Sequence, residues 1–412
     1  MTPSRARDAS RPLPSRSALA AHWGLDPDVV FLNHGSFGAT PIAVLGAQSK
    51  LRSQLEAEPV RFMVRELEPL LDEARNALAA FVGASPERLV FVQNATTGVS
   101  TVLRSLVLRA GDELLTTDHE YNACKNALDF VAEASGARVV VVQVPFPLSG
   151  DDEVAEAIAE ATTERTRLIL VDHVTSPTGL VMPVERIVAE ANARGVDVLV
   201  DGAHAPGMVP LALDALGAAY YTANCHKWIC APKGAALLYV RDDKAREIRP
   251  LSISHGANSP RGDRSRLRLE FDWCGTTDPT AAIAVKDAIA FMQQIVAGGF
   301  DEVMRRNRSL ALHARAVLCD ALSVAAPCPD SMIGSLAAVV LPARRTPAAP
   351  SASMTEPLQD RLYFEHGIEV PVPCWPASPH RLVRISAQLY NSPAEYNYLA
   401  SALIEELALE AR

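Results

Sequence analysis

From about residue 67 the chain alternates between stretches with apolar residues at helical spacing and short runs rich in Val, Ile and Leu. Such alternation is the signature of strand–helix–strand units around a mainly parallel sheet. A helix over 67 to 82 is stopped by Gly83, and the buried strand LVFVQN (89 to 94) follows. A helix from Thr96, the strand ELLTT, a helix after Tyr121 and the strand ARVVVVQV come next. A helix over 151 to 162, the strand RLILVDHV, a helix after Pro183, the strand VDVLVDGAH and later ALLYV (236 to 240) extend the run. Several strands end in polar residues: Asn94, Asp118, Asp172, His173, Asp201 and His204. Ligands of doubly wound sheets bind at the carboxyl ends of the strands, so these groups are expected to converge.

Beyond Val240 the pattern changes. A Pro/Arg/Ser-rich stretch near 250 to 270 reads as a loop, followed by helices near 278 to 296 and 301 to 322. LAAVVLPA, a helix over 355 to 366, IEVPV, RLVRISA and a closing helix from Ser392 then predict a smaller α/β unit. The loop TPAAPSAS (346 to 353) is of low complexity. The organisation expected is a flexible N-terminal arm over 1 to 20, a large domain over 21 to 285 and a small C-terminal domain over 286 to 412.

A length of 412 residues suits this two-unit reading, since single cores seldom grow so large. A net charge of −9 offers none of the basic excess that phosphate backbones require, which excludes nucleic acid as an expected partner. The seven cysteines are odd in number and form no CxxC pair, so reduced thiols in a cytoplasm are expected. Residues 1 to 16 are basic but lead into no apolar run, and no window is long and apolar enough for a membrane span. Neither a signal peptide nor a membrane partner is expected. No GxGxxG follows the first strand, which argues against a nicotinamide-binding protein.

The chemistry concentrates between Val198 and Lys233. Asp201 stands at a strand end, and 26 positions later Lys227 lies in the context NCHKW. Alone, such an aspartate caps turns and such a lysine is solvated. Together they meet two demands of pyridoxal 5′-phosphate chemistry. An aspartate in a dry site keeps a pyridine nitrogen protonated, and a desolvated amine condenses with an aldehyde. NATTG (94 to 98) follows a strand and opens a helix, where free N–H groups attract a phosphate.

On these segments the chain resembles the class V aminotransferase-like family of fold-type I pyridoxal-phosphate enzymes, which includes cysteine desulfurases and isopenicillin N epimerase. The resemblance runs from about residue 22 to 405 and implies an α/β fold with a mainly parallel, seven-stranded sheet. It implies that Lys227 carries the cofactor as a Schiff base, that Asp201 pairs with the pyridinium, that His204 neighbours the ring hydroxyl and that His226 touches the phosphate. Ala95, Thr96 and Thr97 would cradle the phosphate, with Ser176 and Asn224 completing the cofactor set, and no metal is implied. Tyr121 stands where desulfurases generally place a stacking His, which points towards the epimerase-like branch. His119, two residues earlier, reads as structural.

The resemblance also assigns substrate contacts. Arg384, before ISAQLYN, would grip an amino-acid α-carboxylate, with Arg381 as competitor. His34 and Gly35 in FLNHGSFGATP would lie over the substrate, and Arg61 in EPVRF would reach a distal group. Thr276 and Thr277 in CGTTDPT would cross to a partner's phosphate, which implies a homodimer with shared sites. The activity implied is epimerisation at the α-carbon of an amino acid. The alternatives are carbon–sulfur cleavage, either as a lyase or as a desulfurase using Cys374, and a catalytically silent binding protein of the same fold. The proline-rich setting of Cys374 favours a structural thiol.

Overall fold

The computed structural model describes residues 12–344 and 356–411. The first eleven residues and the TPAAPSAS loop lie outside the described residues. In chain order the strands are β1 (Val30–Phe31), β2 (Leu89–Val92), β3 (Glu113–Thr117), β4 (Arg138–Val142), β5 (Thr166–Asp172), β6 (Asp197–Asp201), β7 (Tyr220–Asn224), β8 (Ala236–Val240), β9 (Leu336–Leu341), β10 (Ile368–Glu369) and β11 (Arg381–Ser386). Seven form one sheet in the order β2-β8-β7-β6-β5-β3-β4, and within it only β8 runs antiparallel to its neighbours. Helices cover both faces, so β3, β7 and β8 are buried throughout. That is why these strands read as apolar runs rather than as alternating positions.

The helices follow their local signals. Leu67–Val82 ends on Gly83 in the left-handed conformation. Ala95–Ser105 is capped by Asn94, whose side chain accepts the Thr97 N–H. Pro393–Glu410 starts with a capping box built from Ser392 and Glu395. At Gly98 a Cβ would lie 2.0 Å from Thr222 Oγ1, so only glycine lets this helix approach β7 so closely.

The smaller unit is the antiparallel pair β9 and β11, covered by helices Gly299–Leu322, Pro357–His366 and Pro393–Glu410. β1 pairs in parallel with β10, so the N-terminal segment, expected within the large domain, is hydrogen-bonded to the C-terminal unit. No single helix among the described residues is long and apolar enough to cross a membrane.

The structure departs from the sequence pattern at several places, first in the 16-residue helix Ile42–Ala57, which lies ahead of the predicted run. The sequence pattern marks no strand at β7, because YYTAN holds none of the Val, Ile or Leu that mark the other runs. The stretch expected as a loop near 250 to 270 contains the helix Arg266–Phe271, capped by Ser265 and tied down where Arg268 pairs with Asp72 and Glu87. The helix expected over 278 to 296 is two helices, Thr280–Ile283 and Val285–Gln294, separated at Ala284, whose ψ of −1° interrupts the helical ladder. IEVPV pairs over two residues only, since Pro371 and Pro373 have no N–H to give a ladder.

Candidate active site

Lys227 lies in the turn between β7 and β8, anchored by the fully buried Trp228. Its amine projects into a cavity of about 1000 Å³ at the carboxyl ends of the parallel strands. Burial holds the Lys227 amine down to about 7, against the opposing pull of Asp201. Nζ sits 2.9 Å from His204 Nε2. Burial, reinforced by the lysine charge, keeps His204 well below its ordinary value and therefore neutral. With Nε2 accepting from the lysine, the His204 proton is on Nδ1, which has no protein partner among the described residues.

Asp201 ends β6 and is buried. Its Oδ1 accepts the Ala203 N–H at 2.9 Å and its Oδ2 accepts the Cys124 thiol at 3.3 Å. Burial pushes the carboxyl up, while these two donors and the Lys227 charge favour the anion. Asp172, at the end of β5, also lines the cavity, and its Oδ2 has no partner among the described residues.

An anion cradle lies beside this acid–base pair. At the start of Ala95–Ser105 the Ala95 N–H donates to Asn224 Oδ1 at 2.9 Å and the Thr97 N–H to Asn94 Oδ1 at 2.8 Å. The Thr96 N–H has no protein partner among the described residues, which leaves a donor at the positive end of the helix dipole. His226 borders the same space, with burial holding it down to about 4 and Nδ1 without a partner among the described residues. A low-pKa amine, a buried carboxylate and an open helix N-terminus in one cavity fit pyridoxal phosphate.

Arg384 enters from β11. Its guanidinium is buried, donates to the Ser176 carbonyl at 2.5 Å and to Ser36 Oγ at 2.9 Å, and pairs with no carboxylate among the described residues. Burial lowers it to about 10. Its competitor Arg381 is consumed structurally, pairing with Glu356 and Glu410. The two lie three residues apart on one strand and so point to opposite faces.

Lys227, Asp201, His204, Asn224, His226, Ala95, Thr96, Thr97, Tyr121, Ser176, Gly35, Thr277 and Arg384 all border the cavity. His34 does not take the place expected over a substrate. It is buried behind the lysine, where Nε2 donates to the Lys227 carbonyl at 2.9 Å and Nδ1 accepts the Tyr390 hydroxyl at 2.9 Å. Gly38 lets that segment close on the lysine turn: its φ is +69° and a Cβ would meet the His226 carbonyl at 1.9 Å. Arg61 is exposed, paired with Glu66 at 3.0 Å, and lies outside the cavity lining. Thr276 is exposed just beyond the rim. His119 is buried and satisfied by Thr178 and the Val144 carbonyl, as a structural histidine should be.

Of the polar strand ends, Asn94, Asp172, Asp201 and His204 converge on the cavity. Asp118 instead accepts the Val144 N–H at 2.9 Å, and His173 bonds the Tyr221 hydroxyl at 2.8 Å. Cys374 is exposed and does not line the cavity. The apolar wall formed by Met63, Leu67, Leu71 and Phe271 was missed in the sequence, as was Ser36. A periodic apolar helix face looks the same whether it packs on a core or on a cavity.

The family model described as Aminotransferase class-V matches residues 30–338. An isopenicillin N epimerase of Amycolatopsis lactamdurans is 38% identical over 395 residues, covering 92% of this chain and 96% of that protein. A probable chloroplastic L-cysteine desulfhydrase of Arabidopsis thaliana is 30% identical over 399 residues, covering 92% of this chain and 83% of its own. Among solved structures, a C-DES mutant with glycine covalently linked to its PLP cofactor superposes with a TM-score of 0.75 at 24% identity, covering 92% of this chain and 96% of that one. That likeness shows the fold.

Proposed function

The chain belongs to the class V aminotransferase family of pyridoxal-phosphate-dependent enzymes, and we propose that it epimerises an amino-acid centre by moving the α-proton. The observation that carries the reading is Arg384, a buried guanidinium with no carboxylate partner among the described residues, in the same cavity as the low-pKa amine of Lys227. A buried cation left unpaired by its own chain is costly and awaits an anion from outside. An α-carboxylate held there as a bidentate pair fixes the α-carbon within the cavity that Lys227 enters.

Bound pyridoxal phosphate supplies an electron sink conjugated to the α-carbon of an amino acid. Asp201 would hold its ring nitrogen, and the N-terminus of Ala95–Ser105 with His226 would hold its phosphate. Lys227 then acts through Nζ. An amine near 7 is free of its proton for a good part of the time at neutral pH, and it takes the α-proton as general base. His204 Nε2, at 2.9 Å and neutral, holds Nζ in place by accepting its hydrogen bond. Ser176 and Ser36 fix the guanidinium plane of Arg384, so the carboxylate is oriented before chemistry starts. The apolar wall of Met63, Leu67 and Leu71 excludes water from one side of the cavity.

The 38% identity to an epimerase supports epimerisation as the outcome. Carbon–sulfur lysis is the second reading, supported by the 30% identity to a desulfhydrase. A persulfide-forming desulfurase is disfavoured by the position of Cys374 away from the cavity. We also infer a homodimer in a thiol-reducing compartment such as the cytoplasm. Phe37, Val60, Val64 and Ile253 are exposed apolar residues on segments near the cavity mouth, and Thr276 and Thr277 are presented at its rim.

Incubation with a panel of amino acids and small peptides in deuterated water tests the assignment. Deuterium at the α-carbon with loss of optical rotation supports epimerisation. Release of sulfide or pyruvate replaces it with lysis, and a colourless protein after cofactor loading overturns both.

A further inference from the structure

Three buried carboxyl groups meet beneath the cavity, each from a strand end: Glu120 just after β3, Asp172 on β5 and Asp201 on β6. Cys124, fully buried at the first turn of helix Asn122–Ser135, completes the cluster. One ligand atom each of Glu120, Cys124 and Asp201 lies within 4.8 Å of the other two. Only Asp201 has a part in the chemistry derived above. Two carboxylates so close in a dry site cannot both be ionised, so a proton must be kept by one of them.

Hydrogen bonding and the position of the lysine charge decide which. Each oxygen of Asp201 accepts a donor, from the Ala203 N–H at 2.9 Å and the Cys124 thiol at 3.3 Å, and the Lys227 charge acts on it as well. Glu120 accepts the Tyr121 N–H at 3.1 Å and the Thr116 hydroxyl at 3.3 Å and shares the Cys124 thiol with Asp201, but the lysine charge that favours the Asp201 anion is not among the groups acting on it. Asp172 Oδ2 has no donor among the described residues, but the Lys227 charge acts on Asp172 as it does on Asp201. The groups facing Glu120 are therefore Asp201, Asp172, Cys124 and Thr116, with no cation among those acting on it. Burial beside two acids keeps the Cys124 thiol protonated, so its S–H is there to donate to a carboxylate.

We propose that Glu120 and Cys124 are positioning residues for Asp201: a neutral Glu120 acid and the Cys124 thiol together keep Asp201 as the anion that the cofactor's ring nitrogen requires. Through its contact with the Tyr121 N–H, Glu120 also fixes the backbone of a cavity-lining ring. The inference rests on the pyridoxal phosphate reading for its purpose, whereas the state of Glu120 is testable without any cofactor.

In cofactor-free protein at pH 7, the infrared difference between wild type and Glu120→Gln is expected to contain the carbonyl stretch of one protonated carboxylic acid. Its absence in a Glu120→Gln protein of native circular dichroism overturns the assignment. In cofactor-loaded protein, Cys124→Ala is expected to raise the cofactor dissociation constant about tenfold and to shift the pH midpoint of the visible band by about half a unit or more. Cys124→Ser, which keeps a donor, should restore most of both, and Glu120→Gln should leave the dissociation constant within about twofold. A Cys124→Ala protein indistinguishable from wild type in midpoint and affinity overturns the thiol's role. Protein that stays colourless on loading defeats the cofactor reading instead, and the infrared result still decides Glu120.

Discussion

Replacing Lys227 by methionine keeps the reach of the side chain and removes a charge that the fold disfavours. The amine moves from 10.5 to about 7 on folding, and at 1.36 kcal/mol per pH unit that is about 5 kcal/mol. Between about pH 7 and 10.5 the unfolded chain binds a proton on this amine that the folded chain releases. Stability of the cofactor-free protein therefore falls as pH is lowered through that window and levels off below about 7. Lys227→Met lacks this penalty, which is already net of the attraction to Asp201 and Asp172, so the upper bound is about 5 kcal/mol, and roughly half is a reasonable expectation once relaxation and water entry around the buried charge are allowed for. Urea unfolding of both cofactor-free proteins at several pH values from 7 to 10 reads the difference directly. The variant should gain on wild type as pH falls towards 7. Parallel pH profiles would refute the claim that burial makes this lysine a base.

Arg384→Met should lower kcat/KM by about a hundred- to a thousandfold, the worth of a bidentate charge-assisted pair. It should not lower the melting temperature of cofactor-free protein, because no carboxylate loses its partner; a substantial fall measured by calorimetry would mean that the arginine is structural. Gly98→Ala, whose Cβ would fall 2.0 Å from Thr222 Oγ1, should push the helix N-terminus outward and weaken cofactor binding by about tenfold or more, read by titration of the visible band. Cys374→Ala should leave turnover of every accepted substrate unchanged, and loss of sulfur transfer in that variant would restore the desulfurase reading.

Much of the site was legible because its signals are short-range. Asn94 caps its own helix by accepting the Thr97 N–H, Gly98 lies one turn on, and Asp201 and Lys227 lie only 26 positions apart. The strand β7 was not legible because YYTAN lacks a Val, Ile or Leu run, and the helix Arg266–Phe271 because it is brief and held by distant partners rather than by its own periodicity. His34 shows the limit of motif matching: the motif places it at the site, but the direction of its ring depends on the Lys227 carbonyl and Tyr390, far along the chain.

The sequence by itself determined the alternation of elements, their caps and the residue types that the chemistry needs, since these depend on neighbours within a few turns. Tertiary structure alone decided that Arg381 is consumed by Glu356 and Glu410, that Ser36 braces Arg384 across 348 positions, and that Cys124 reaches Asp201 across 77. Spacing along a chain carries no information about which distant side chains share a dry volume. Only packing brings them together, and only burial turns an ordinary lysine, acid or thiol into a reactive, neutral or donating one.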